Sequence, residues 1–199
     1  MSMTRTDCLK VLAKHRTGEL VITAWQSSNA WHEISPSKYN CSSVRTMGEC
    51  ATFALGVALA RPDQRVVALE GDGALCMNLG SLLTIATAAP PNFYEFIMHN
   101  KVYETTGGQS LPNVDHLDFL LVARGVGLTQ VHRYSDLATW DRELPNLLRE
   151  KGPVFTVVDI EPDETHVCGH NFATKVRGKD IFYARQFREA LANTPPKGG

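Results

Sequence analysis

Apolar residues along the chain fall into stretches that alternate between helical and strand spacing. Residues 7–15, DCLKVLAKH, carry apolar positions at helical intervals, and 19–24, ELVITA, form a short strand. Residues 25–40, WQSSNAWHEISPSKYN, are polar and aromatic and contain Pro36, which predicts a loop. A helix dense in Ala and Gly is expected over 48–60, GECATFALGVALA, followed by a strand at 65–70, RVVALE. Residues 76–89, CMNLGSLLTIATAA, predict a helix and 92–99, NFYEFIMH, another strand. After a long loop, 116–127, HLDFLLVARGVG, reads as a helix ending in glycines, and 128–133, LTQVHR, as a strand. Residues 135–152 predict a helix that Ser135 caps and Pro145 kinks, and 153–161, PVFTVVDIE, is the most strand-like segment of all. Strands alternating with helices imply βαβ units, and hence an α/β three-layer sandwich with a mostly parallel central sheet. One domain over residues 1–192 and a disordered tail at 193–199, NTPPKGG, complete the expected organisation.

Composition narrows the function classes. The 199 residues suffice for one sizeable core, and 43% hydrophobic with 21% charged residues is ordinary for a globular protein. A net charge of −1 without a basic block or acidic tail points away from nucleic acids and anionic membranes. No apolar run approaches the ~20 residues that span a bilayer. The start, MSMTRTDCLKVL, lacks the apolar core of a secretory signal. Cys8, Cys41, Cys50, Cys76 and Cys168 are odd in number and scattered, which suits reduced thiols in a cytoplasmic compartment. HVCGH at 166–170 has metal-capable residues but no second pair at zinc spacing.

In parallel sheets, ligands gather beyond the carboxyl ends of the strands. EGDG, residues 70–73, lies there, between a strand and a helix. Gly71 and Gly73 allow a ligand to approach the backbone closely, and the helix start offers free N–H groups. Asp72 alone would repel a phosphate, but a hard dication between them reverses the sign, because Mg²⁺ takes oxygen from both. A second oxygen donor, Asn100, follows the next strand, 28 residues after Asp72.

This order of strand, GDG, helix, strand and Asn resembles the thiamine-diphosphate signature. Residues 45–109 are similar to the diphosphate-binding domain of the phosphonopyruvate and sulfopyruvate decarboxylases. The likeness is carried by MG opening a small-residue helix, ALARP, GDGAL and MNLGSL, and the closing TGGQ. It implies the thiamine-diphosphate-binding fold of the PP type, with Mg²⁺ held by side-chain oxygens of Asp72 and Asn100 and the carbonyl of Val102. By the same likeness Gly73 and Ala74 present backbone N–H groups to the diphosphate. Met47 lies beneath the cofactor and forces its rings into a bent conformation, and Thr46, Gly48, Gly71 and Tyr103 complete the contacts.

The chain also departs from the family pattern. Relatives commonly carry Gly-Ser before Met-Gly, where this sequence has Arg45 and Thr46. Arg45 faces either a substrate carboxylate or a surface acid, and both readings stand. Lys101 is a second candidate cation for the substrate. The loop at 101–113, with Thr106, Gly107, Gly108 and Gln109 matching TGGQ, is the expected mobile element over the substrate. His99 replaces the usual Asn or Asp before the metal Asn and reads as a packing residue. Glu49 suits the first turn of a helix and carries no catalytic role. Trp25, Trp31 and Tyr39 predict an interface or pocket wall.

Enzymes of this family activate the cofactor with a glutamate on a separate pyrimidine-binding domain. This chain has length for the diphosphate half only, so no catalytic residue is assigned within it. The resemblance therefore implies the beta subunit of a heteromer, α₂β₂ or larger, whose alpha subunit carries the pyrimidine-binding domain. The implied reaction is non-oxidative decarboxylation of a 2-oxoacid resembling sulfopyruvate or phosphonopyruvate, a lyase activity. A carboligase or lyase subunit of the same fold, and a non-catalytic binding module, are the alternatives. Ferredoxin-coupled redox chemistry is disfavoured, because the cysteine groups that hold iron–sulfur clusters are missing.

Overall fold

The structure, a computed structural model, describes residues 3–44, 46–163 and 180–195. Arg45, HVCGH with Cys168, and the end of the tail lie outside the described residues. In chain order the elements are α1 (Arg5–His15), β1 (Leu20–Ala24), α2 (Trp25–Ile34), β2 (Asn40–Val44), α3 (Cys50–Ala60) and β3 (Val66–Gly71). There follow α4 (Asp72–Met77), α5 (Ser81–Ala88), β4 (Phe93–His99), β5 (Val102–Tyr103), β6 (Gln109–Ser110) and α6 (Phe119–Gly125). The chain continues through β7 (Gln130–Tyr134), α7 (Leu137–Leu147), β8 (Val154–Asp159) and α8 (Asp180–Ala192).

Six strands form one sheet in the order β2-β1-β3-β4-β8-β7, and every neighbouring pair is parallel. A parallel sheet must be covered on both faces, and the strand sequences comply. In β3, Val66 and Ala68 pack into one core with Ala51 and Ala54 of α3, Ile85 of α5 and Phe119 of α6. Val67 and Leu69 point the other way, toward Leu9 and Leu12 of α1, Trp31 of α2, and Trp140 and Leu144 of α7. This alternation is the period-two geometry of a strand buried on both sides. Phe96 and Trp140 meet edge to face, ring centres 5.4 Å apart. Each fully buried aromatic or branched side chain stabilises the fold by about 1.5–3 kcal/mol. Among the described residues, no helix is long and apolar enough to cross a membrane.

Several expectations are corrected. Residues 25–40 are not a loop: α2 and the first residue of β2 lie there. The helix buries Ser27, Ser28 and Trp31 rather than an apolar stripe. Its polar groups are paired, Thr23 Oγ1 with Ser28 Oγ at 3.0 Å and Trp31 Nε1 with Asn40 Oδ1 at 3.1 Å. Pro36 falls after the last helical turn, where it marks the helix end and nothing more. The helix at 76–89 is two helices, and the first already begins at Asp72. Asp136, not Ser135, caps α7, accepting the Thr139 N–H at 2.7 Å. Helix α8 packs on β2 and has no counterpart in the sequence reading.

Candidate functional site

A cleft opens at the carboxyl ends of β1, β3 and β4. Parallel pairing sets Gly71 beside Met98, so Asp72 stands level with the end of β4 and Asn100 follows directly. Asp72, Asn100, Met47, Gly71, Gly73 and Ala74 line this cleft, as do Val102 and Tyr103. Thr46 is exposed and Gly48 buried, and neither lines it.

Asp72 is 2% exposed and is held by three contacts. Oδ1 accepts the Gly73 N–H at 2.8 Å, and Oδ2 accepts the Lys101 N–H at 2.7 Å. The third is His99, whose Nδ1 lies 2.8 Å from Oδ2. His99 is therefore more than the packing residue expected from sequence. Asn100 Oδ1 accepts the Val102 N–H at 3.1 Å. Between them Lys101 adopts φ +68°, and this left-handed residue turns the chain back into the β5–β6 hairpin.

The hairpin covers the start of α4. A β-carbon on Gly73 would come within 2.6 Å of the Tyr103 ring, so only glycine permits this closeness. Glu104, beyond Tyr103, pairs with Arg5 of α1 and accepts the Asp163 N–H at 2.6 Å. Arg5 and Glu104 also line the cleft, a contact between residues far apart in sequence that sequence reading missed. Lys101 lines a second cleft, with Arg133 and Asp159, and does not line the first. Thr106 and Gln109 bond one another at 3.2 Å, and neither they nor Gly107 and Gly108 line the first cleft.

The two acids of EGDG do different things. Glu70 is 1% exposed and turns inward, where its carboxyl faces the backbone N–H groups of Ala51, Cys50 and Gly48 at the start of α3 and its Oε1 has no hydrogen-bond partner among the described residues. Burial pushes its carboxyl up to about 7 against the opposing pull of those N–H groups. Gly48 adopts φ +86°, a β-carbon there would meet Asn78 Cβ at 2.9 Å, and Asn78 Nδ2 donates to the Gly48 carbonyl at 2.9 Å. Asn78 thus holds the turn that carries Met47. Asn78 also caps the end of α4, its backbone leaving the helix at φ −144° before α5 begins.

Trp25 lines the cleft at φ +51°, an uncommon backbone for a bulky residue. Trp31 is fully buried, and Tyr39 bonds Thr194 at 3.3 Å, so the three aromatics do not form one surface. Glu49 is exposed and accepts from Thr52 Oγ1 at 2.8 Å. Burial pushes the thiol of Cys8 up to about 12 and that of Cys76 up to about 11.

Among the described residues, no three or more His, Cys, Asp or Glu side chains cluster to hold a metal. A cation in this cleft would take one carboxylate, one amide and one carbonyl oxygen, and would complete its shell from a ligand. That donor set suits Mg²⁺, which is bound through one or two carboxylates plus substrate phosphates. At Gly71 a β-carbon would meet nothing within 4 Å, so the backbone there faces open space in the cleft, the room a diphosphate needs. The residues present fit the group.

Comparisons agree with this geometry. Residues 17–159 match the family described as thiamine pyrophosphate enzyme, C-terminal TPP binding domain. The chain is 33% identical over 183 residues to a phosphonopyruvate decarboxylase of Streptomyces viridochromogenes, covering 92% of this chain and 44% of that protein. It is 32% identical over 168 residues to the sulfopyruvate decarboxylase subunit beta of Methanothermobacter thermautotrophicus, covering 84% of this chain and 87% of that one. It thus spans less than half the length of the phosphonopyruvate decarboxylase. An X-ray structure from Mycobacterium smegmatis, of a protein provisionally described as a thiamin diphosphate-dependent enzyme, shares the fold. The TM-score is 0.68 at 22% identity, over 80% of this chain and 32% of that one. With a family match running through β1, the EGDG turn, Asn100 and β8, the chain belongs to the thiamine pyrophosphate enzymes through their C-terminal TPP-binding domain.

Proposed function

We propose that this chain, as one PP-type domain over residues 1–192, supplies the diphosphate- and Mg²⁺-binding half of a heteromeric cytoplasmic decarboxylase acting on a 2-oxoacid. The observation that carries the reading is the convergence of Asp72 and Asn100 on one cleft at adjacent strand ends. Asp72, Asn100 and the Val102 carbonyl would hold the ion, and the Gly73 and Ala74 amides would face the diphosphate. Met47, on the turn that Asn78 holds, would support the rings. When bound, the thiazolium ring supplies the electron sink for loss of CO₂.

The cleft's own acids support a partner. Asp72 is committed to the three groups around it and Glu104 to Arg5 and the Asp163 amide, so neither is free to address a pyrimidine ring. A glutamate from an alpha subunit would complete the site, and the beta-subunit relative of similar length agrees with this assembly. A substrate with an acidic tail, such as sulfopyruvate or phosphonopyruvate, follows from the relatives' names alone. CO₂ release from each acid by the reconstituted pair, with and without an acceptor aldehyde, tests the reading. Aldehyde product without the acceptor is expected. Product only with it would make the complex a carboligase, and no turnover despite cofactor binding would leave a binding module.

A further inference from the structure

We infer that His99 is a positioning residue for the metal site, holding the Asp72 carboxylate in its working orientation from the side away from the ligand. The inference rests on the Mg²⁺ reading above. His99 is the last residue of β4 and is 5% exposed, and its Nδ1 lies 2.8 Å from Asp72 Oδ2. An ionised carboxylate only accepts, so the imidazole must donate, which sets the tautomer with its hydrogen on Nδ1.

The ring is fixed from its other side. It stands edge-on to Phe119 of α6, with ring centres 5.4 Å apart at 87°. Asp72 lines the candidate cofactor cleft whereas His99 does not, and His99 instead lines the neighbouring cleft with Arg133 and Asp159, which Asn100 and Val102 line as well. The imidazole thus meets the carboxylate from outside the candidate cofactor cleft. With the Lys101 amide also on Oδ2, this oxygen carries two donors, whereas Oδ1 carries the Gly73 amide alone. The carboxylate cannot rotate without breaking a buried bond. Partners of this kind set the orientation of a metal ligand, and losing one costs about 10- to 100-fold in metal affinity.

Two substitutions separate positioning from packing. Phenylalanine keeps the ring against Phe119 but puts a C–H where Nδ1 stood. Asparagine loses the ring but carries its amide nitrogen on Cγ, as histidine carries Nδ1. The measurement is the dissociation constant of Mn²⁺, from the paramagnetic resonance of the free ion, with saturating thiamine diphosphate and the full chain paired with its pyrimidine-binding subunit. Melting of the metal-free proteins serves as the folding control. His99→Phe is expected to weaken Mn²⁺ binding by about 10- to 100-fold, while His99→Asn stays near wild type. If His99→Phe binds Mn²⁺ as the wild type does, or if His99→Asn is the weaker of the two, His99 is a packing residue and the inference fails. A wild-type complex that binds no Mn²⁺ would instead overturn the proposed function.

Discussion

Tyr103 lies so close over Gly73 that a single added carbon on the glycine would stand 2.6 Å from ring atom Cδ1. Sequence reading assigned both residues to the cofactor without relating them. In the fold they are one feature, the hairpin closing on the first turn of α4.

Gly73→Ala should therefore push the ring aside and destabilise the chain by about 1–3 kcal/mol, the usual cost of overpacking. Adding Tyr103→Ala should recover most of that loss. Urea denaturation of the single and double variants checks it, and equal stability of Gly73→Ala and wild type would contradict the contact.

Asn78→Asp replaces the N–H that meets the Gly48 carbonyl with a second acceptor. The variant should lose about 1–3 kcal/mol, and thiamine diphosphate affinity should fall as the Met47 turn loosens. Calorimetric titration together with denaturation would show both effects, and a loss of stability with unchanged affinity would uncouple the turn from the site.

Glu95 is fully buried in β4, with neither carboxylate oxygen hydrogen-bonded. Burial first, then the nearby Glu70, holds its carboxyl well above the ordinary range. The folded chain therefore keeps a proton that the unfolded chain releases above about 4.5. This contribution to stability is whole below that pH and is lost as pH rises through neutrality, by up to about 1.4 kcal/mol per pH unit. Glu95→Gln keeps the shape without the ionisation, so its stability should fall less between about pH 5 and 8. Parallel wild-type and variant slopes would contradict this.

The sheet was legible because β1, β3, β4 and β8 are nearly continuous apolar runs, which two-sided burial demands. Asp72 and Asn100 were legible because their spacing is carried by contiguous chain ending at adjacent strands. Helix α2 and strand β2 were hidden because the groups they bury include Ser27, Ser28, Asn40 and Ser42, whose polarity erases the period. Arg5 with Glu104, Glu70 with the start of α3, and His99 with Asp72 are tertiary contacts. No local spacing announces them.

The most direct measurement is calorimetric titration of thiamine diphosphate into the chain paired with a pyrimidine-binding subunit, with Mg²⁺ or with a chelator, for wild type and Asp72→Asn. Three donors meet the buried Asp72, so the variant also tests a residue the fold itself uses, and circular dichroism must confirm that it is folded. Loss of an outer partner costs about 10- to 100-fold in metal affinity, so loss of a direct ligand should cost more than about 100-fold. Binding by the wild type only with Mg²⁺, and its collapse in folded Asp72→Asn, is the expected result. Wild-type affinity in that variant, or equal binding with the chelator, would contradict it.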